Sequence, residues 1–230
     1  MNTEAECALK RGHRERSEQS HKRPTATLAR SLAALAMTAF LLLGACETVD
    51  KRHHVIVSVH DQRLALLDQN NLVATYPVST SKFAIGDQPG SRGTPLGELQ
   101  IAQKIGAGLP VGTVLKDRRP TGEILAPDAP GRDPIVTRIL WLRGKEAQNR
   151  NAYSRFIYIH GTAEERNIGH RASFGCVRMR SRDVVQLFDL VGKGAEVTIT
   201  DQPLGAYVPG LAAEAPPVAS NAPKAGMVIR

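Results

Sequence analysis

The chain has 230 residues, 42% of them hydrophobic and only 4% aromatic, with 30 Lys and Arg against 22 Asp and Glu and a formal net charge of +8. That excess of positive charge suits a polyanion, an acidic cell-wall polymer or a membrane surface, and alone does not separate them. Few aromatics, no basic helix and no zinc-ligand spacing argue against nucleic acid as a partner.

Taken in order, the chain begins with a polar, basic stretch that ends near Arg30. Ser31 to Leu43 is then apolar or small throughout, and Gly44-Ala45-Cys46 follows. This is the layout of an export signal, so residues 1–45 are expected to be a leader. The apolar run falls short of the roughly 20 residues that a membrane-spanning helix needs. Leu43-Gly44-Ala45-Cys46 resembles a bacterial lipobox, which predicts lipidation of Cys46, attachment to the membrane through that lipid, and a short linker over 46–53. Residues 1–45 hold seven Lys or Arg and four Asp or Glu, so +5 of the +8 stays with the remainder.

Cysteine usage follows from this reading. Cys7 lies in the leader and Cys46 carries the lipid, which leaves Cys176 without a disulfide partner. A solitary thiol in an exported protein is open to oxidation, so its presence points to chemistry more than to packing.

From His54 the pattern has period two: Val55, Val57 and Val59 on one face, a polar break at Asp61-Gln62, then Leu64 and Leu66. These predict paired strands. Asp68-Gln69-Asn70-Asn71 has turn composition, and Leu72 to Val78 predicts a third strand of a meander. Ser79 to Gly97 is rich in Ser, Gly and Pro and ends in a Thr94-Pro95-Leu96-Gly97 turn that feeds a short strand over Glu98 to Ala102. Between Lys104 and Pro134 neither period lasts, although Thr113–Leu115 and Glu123–Leu125 suggest brief strands. A long irregular excursion of this kind is often a lid or a cleft wall, or else a surface insertion. Its Lys116, Arg118 and Arg119 could meet substrate carboxylates or be solvated only.

Ile135 to Leu142, which holds the only tryptophan, Trp141, reads as a core strand. Arg155 to His160 reads as a buried strand delivering His160 to its end. Ser181-Arg182-Asp183 is suited to cap a helix whose Val184, Leu187, Phe188 and Val191 form an apolar stripe ending at Gly192. Glu196 to Thr200 closes the domain, which spans 54–201, and residues 202–230 form an Ala/Pro-rich tail expected to be disordered.

The chemistry concentrates in Ile157–Met179. Tyr158-Ile159-His160-Gly161-Thr162 is followed by Ser173-Phe174-Gly175-Cys176-Val177-Arg178-Met179, so an imidazole and a thiol lie sixteen positions apart, each beside a glycine. A thiol reacts as its thiolate, and a histidine nearby takes the proton or stabilises the anion. His160 and Cys176 are therefore the candidate catalytic pair. A backbone carbonyl near Gly161 or Thr162 would fix the tautomer of the imidazole, and backbone N–H groups around Gly175 and Cys176 would serve an oxyanion.

These two motifs resemble the L,D-transpeptidase catalytic domain family, the YkuD-type fold, and the similarity extends over most of residues 54–200. The resemblance implies a mainly β, β-sandwich-like domain with one helix after the catalytic cysteine loop and a long irregular lid-like excursion. It implies attack by Cys176 on the L-centre carbonyl of a peptidoglycan tetrapeptide stem, with His160 as base and release of D-alanine. Transfer of the acyl group to an amine follows, giving a 3→3 cross-link or an anchored, lysine-bearing envelope protein. Tyr158, Gly161, Thr162, Ser173, Gly175 and Arg178 become substrate-binding or oxyanion positions. No metal or organic cofactor is implied, and the expected location is the cell envelope or periplasm, on a lipid anchor.

One position departs from the family pattern, which has histidine where this chain has Phe174. Alternatives stay open: water as acceptor, making the protein an L,D-carboxypeptidase; a non-catalytic peptidoglycan-binding lipoprotein; a sortase-like enzyme; or a zinc site in which His170 joins His160 and Cys176.

Overall fold

The computed structural model describes residues 48–211. The expected leader and Cys46 lie outside these residues, as does the tail beyond 211. The described part is mainly β, with ten strands and one α-helix. These are β1 (His53–Ser58), β2 (Arg63–Asp68), β3 (Asn71–Pro77), β4 (Gly97–Ile105), β5 (Thr113–Lys116), β6 (Arg119–Ile124), β7 (Ile135–Gly144), β8 (Tyr158–Thr162), β9 (Val177–Met179), α1 (Ser181–Leu190) and β10 (Glu196–Thr200). The hydrogen-bonded order is β3-β2-β1-β10-β4-β7-β5-β6, with β8 paired to β7 and β9 paired to β8.

The first three strands form the expected meander. Gln69 and Asn70, both at positive φ, make the turn between β2 and β3. β1 pairs antiparallel with β2 and parallel with β10. Val55, Val57, Leu64 and Leu66 enter the main core, while Ile56, Ala65 and Leu67 pack on the other face against Leu204 and Val208. Both faces of this part of the sheet are covered, which is why β1 is apolar at successive positions. Disorder was expected from residue 202; instead a 3-10 turn at Leu204–Ala206 and the buried Val208 extend the folded body. Two apolar side chains among Ala and Pro are too sparse a pattern to reveal this from sequence.

The stretch between β4 and β7 is more regular than expected. β5 and β6 form a hairpin through a two-residue turn at Asp117 and Arg118, whose φ values are 49° and 67°. Both residues in the left-handed region make the type of turn whose twist matches that of the paired strands. Pro120 is tolerated because β6 is an edge. Val114 opposite Val136 fastens the hairpin to β7.

Alternation along β7 and β8 decides where the site lies. Leu140, Leu142 and Ile159 point into the main core with Val177 and Met179 of β9. Ile139, Trp141 and Tyr158 point the other way, into a second cluster that includes Leu115 and Cys176. Helix α1 closes the main core with the buried Val184, Leu187 and Phe188, each contributing about 1.5–3 kcal/mol by burial. Ser181 does not cap the helix, as the sequence had suggested. The N-cap is Arg180 without a side-chain cap, and the Ser181 N–H is bound at 2.8 Å by the Glu165 carboxylate, which lies on a different segment.

The strand expected over Arg155–His160 is also corrected. Ala152 to Phe156 makes a turn, Phe156 sits at φ 58°, and β8 starts only at Tyr158, so His160 is central in its strand. Arg155 lies in this turn, and its guanidinium pairs with Asp87 at 2.8 Å and binds Gly93 O.

Candidate active site

Strands β8 and β9 run parallel, with Ile159 opposite Val177, His160 opposite Arg178 and Gly161 opposite Met179. Side chains two apart share a face. Tyr158, His160, Cys176 and Arg178 therefore project from one side of the sheet, while Ile159, Val177 and Met179 anchor the other side in the core. Of the residues singled out in the sequence, these four are brought together directly.

His160 is 5% exposed, and its Nδ1 lies 2.8 Å from the Gly161 carbonyl oxygen. That acceptor places the ring proton on Nδ1 and leaves the lone pair on Nε2. Burial above all pushes His160 down to about 4; Gly161 O opposes this, the Arg178 charge adds to it, and Asp133 opposes it. The imidazole is neutral at pH 7. Gly161 has no room for a side chain, since an added Cβ would meet Val136 O at 2.6 Å.

The Cys176 thiol is half-buried and donates to the Phe156 carbonyl oxygen at 3.4 Å. Burial pushes its pKa up from 9.0 to about 11, opposed by the Tyr158 backbone N–H and by the charges of Arg178 and Arg155. Among the described residues no hydrogen bond joins the thiol to His160. The resting site thus holds a neutral thiol and a neutral imidazole, not a thiolate–imidazolium pair.

The loop before β9 is held by its own serine. Ser173 Oγ donates to Cys176 O at 2.6 Å and accepts the Gly175 N–H at 3.2 Å, and Thr94 Oγ1 donates to Gly175 O at 3.1 Å. The Gly175 N–H is therefore engaged within the loop, which removes it from the oxyanion donors expected there. Gly175 itself is required by its φ of 124°, and an added Cβ would lie 3.0 Å from Gly93 O. Arg155 and Asp87 fix the Gly86–Gly93 segment on which this loop rests.

Arg178 is 8% exposed and already has partners: Asp133 Oδ2 at 2.6 Å and Glu164 Oε2 at 3.7 Å. Thr162 Oγ1 donates to the other oxygen of Asp133. Thr162 thus reaches Arg178 through a carboxylate on the loop before β7. Asp133, Glu164, Arg155 and the Phe156 carbonyl had no sequence signal, because each acts from a loop.

Two depressions flank the thiol's face. One, about 440 Å³, is lined by Lys82, Asp133, Glu164, His170, Phe174 and Arg178, among others. Phe174 is 52% exposed; its ring packs tilted against Phe83 with centroids 5.2 Å apart, and Lys82 Nζ lies 4.9 Å from its centroid. The other, about 340 Å³, is lined by Leu115, Asp117, Arg118, Ile135, Ile139, Phe156 and Tyr158. His170 is exposed on the first cleft, and among the described residues no three His, Cys, Asp or Glu are placed to hold a metal ion.

The L,D-transpeptidase catalytic domain model matches residues 52–199, more than half of the chain. The chain belongs to the L,D-transpeptidase catalytic domain family. It is 28% identical over 147 residues to the Bacillus subtilis protein named "Putative L,D-transpeptidase YkuD", covering 64% of this chain and 65% of that one. A second B. subtilis protein of the same description, YqjB, is 32% identical over 148 residues, 64% of this chain and 71% of that one. The chain thus spans about two-thirds of the length of these relatives. Among solved structures, the L,D-transpeptidase of Xylanimonas cellulosilytica matches with a TM-score of 0.43 and 16% identity, over 71% of this chain and 69% of that one.

Proposed function

We propose that this protein is a peptidoglycan L,D-transpeptidase with Cys176 as nucleophile and His160 as general base. The observation that carries the proposal is the shared face of β8 and β9, where a reachable thiol lies two residues out of register from an imidazole with Nδ1 tied to Gly161 O. Substrate binding draws the thiol from Phe156 O toward His160 Nε2, which takes the proton as sulfur attacks the L-centre carbonyl of a tetrapeptide stem. The C–N bond to D-alanine breaks, and the imidazolium returns the proton to the departing amine. An amine of a neighbouring stem or an envelope protein then displaces sulfur, yielding a 3→3 cross-link or a protein anchor.

Neutral resting groups fit this sequence of steps, because a base with its lone pair free is ready to accept a proton. Arg178 acts through its ion pair with Asp133 and its place beside His160, and Ser173 holds the loop that presents the thiol. Residues 1–45 would direct export, and a lipid on Cys46 would hold the domain at the membrane. Loss of palmitate labelling in Cys46→Ala tests that anchor.

The test of the activity is incubation with purified tetrapeptide muropeptides, followed by mass spectrometry. D-Alanine release and 3→3 dimers are expected from the wild type and not from Cys176→Ala. Release without dimers would assign water as the acceptor, and equal products from both proteins would reject the mechanism.

A further inference from the structure

The β5–β6 hairpin carries a cation to the thiol's side of the sheet. Arg118, in the hairpin's two-residue turn, stands 5.1 Å from the ring centroids of both Trp141 and Phe156 and 3.5 Å from the Tyr158 hydroxyl. Lys116 and Arg119, its neighbours in the same basic run, are exposed, whereas Arg118 is half-buried. Among the described residues Arg118 forms no salt bridge with a carboxylate; Asp117 contributes only charge at a distance. A guanidinium is therefore held on an aromatic rim, at the mouth of a cleft of about 340 Å³ whose floor is Leu115, Ile135 and Ile139.

This cleft adjoins the nucleophile. Phe156 and Tyr158 both line it. The thiol donates to the carbonyl of Phe156, and the backbone N–H of Tyr158 favours its anion. Burial raises the pKa of the Tyr158 phenol; Arg118 opposes this and a charge on Cys176 adds to it, so the phenol senses both groups. An ammonium ion entering here would meet like charge, whereas a carboxylate would gain a charge-assisted hydrogen bond beside apolar walls.

We propose that Arg118 binds the terminal carboxylate of the donor stem, so that the cleft under the β5–β6 hairpin receives the residue that leaves. The inference rests on the acyl-transfer reading for the identity of the stem. The carboxylate concerned is that of the D-amino acid attached to the attacked carbonyl, which must lie next to sulfur when the C–N bond breaks. Tyr158 spans the distance, its backbone at the thiol and its hydroxyl at the guanidinium.

Binding, not turnover, tests this. In full-length Cys176→Ala protein, calorimetry compares a tetrapeptide stem with a free C-terminal carboxylate and the same stem as its carboxamide. The free acid is expected to bind about 10-fold more tightly. Adding Arg118→Gln should abolish that preference and leave carboxamide affinity within about 2-fold, while Arg118→Lys should keep part of it. A merely structural role would weaken both ligands equally and overturn the proposal, as would wild-type discrimination that survives Arg118→Gln. A stem with lysine in place of meso-diaminopimelate should keep both the preference and its dependence on Arg118; Arg118-dependent affinity that is lost with lysine, whatever the C-terminus, would assign the guanidinium to the side-chain carboxylate and overturn the proposal. Discrimination that depends on Arg118, in a protein that releases no D-alanine, would reject acyl transfer and leave the carboxylate site standing.

Discussion

The Cys176 thiol donates to the carbonyl oxygen of Phe156 at 3.4 Å, and among the described residues it has no hydrogen bond to His160. Phe156 adopts φ 58° in the turn before β8, where Arg155 pairs with Asp87. In the proposed mechanism the contact with Phe156 O and the burial of the thiol keep Cys176 protonated before substrate binds.

Titration of the thiolate by its ultraviolet absorbance should therefore show a midpoint near 11, raised from 9.0 by burial. Because His160 does not bind the resting thiol, His160→Gln should move this midpoint by less than about 0.5 units while abolishing D-alanine release. A preformed ion pair would behave differently: the wild-type midpoint would be low and would rise on removal of the imidazole.

Stability should depend on pH through His160. Its pKa falls from 6.5 to about 4 on folding, chiefly by burial. Between those values the unfolded chain binds a proton that the folded chain does not, so stability increases with pH across the window and is lost as pH falls through it. The full effect is about 3 kcal/mol. Urea melts at pH 7 and pH 4 should show this difference in the wild type and a correspondingly smaller one in His160→Gln. Parallel curves for the two proteins would refute it.

Arg178 and Asp133 are paired at 2.6 Å, with side-chain exposures of 10% and 14%. Removing one partner strands a charge that is mostly shielded from water, so Arg178→Met should cost about 2–3 kcal/mol. Asp133→Asn should restore part of that loss in the double variant. Thermal melts of the four proteins measure the coupling, and additive losses would show that the pair is not an energetic unit.

Phe174 lines the cleft that contains Arg178 and has no part in binding the thiol. Replacement of its ring by an imidazole, Phe174→His, should change turnover or the ratio of cross-linked to hydrolysed product by about 3-fold or more. Unchanged rates and products would mean that the position has no influence on the acceptor.

The candidate pair was legible from its motifs, in which His160 and Cys176 each stand beside a glycine, whereas their shared face follows only from the register of β8 and β9. Ile159, Val177 and Met179 must be buried, which forces Tyr158, His160, Cys176 and Arg178 to the opposite side. The meander was legible from period two, the long β7 from its continuous apolar and β-branched run, and helix α1 from apolar residues at helical spacing. What supports the site was not. Asp133, Glu164 and Glu165 reach it from loops, where no periodicity ties a residue to its target. The left-handed conformations of Asp117, Arg118 and Phe156 carry no glycine to announce them. Arg118 stood in the sequence as one cation among three, and only the tight turn separates it from Lys116 and Arg119.

The central claim is tested most directly by intact-protein mass spectrometry during reaction with a tetrapeptide stem, followed by peptide mapping. The account predicts a covalent adduct with the mass of the stem less D-alanine, located on Cys176, absent from Cys176→Ala and formed far more slowly by His160→Gln. D-Alanine release with no adduct on Cys176, or release that persists in Cys176→Ala, would contradict it.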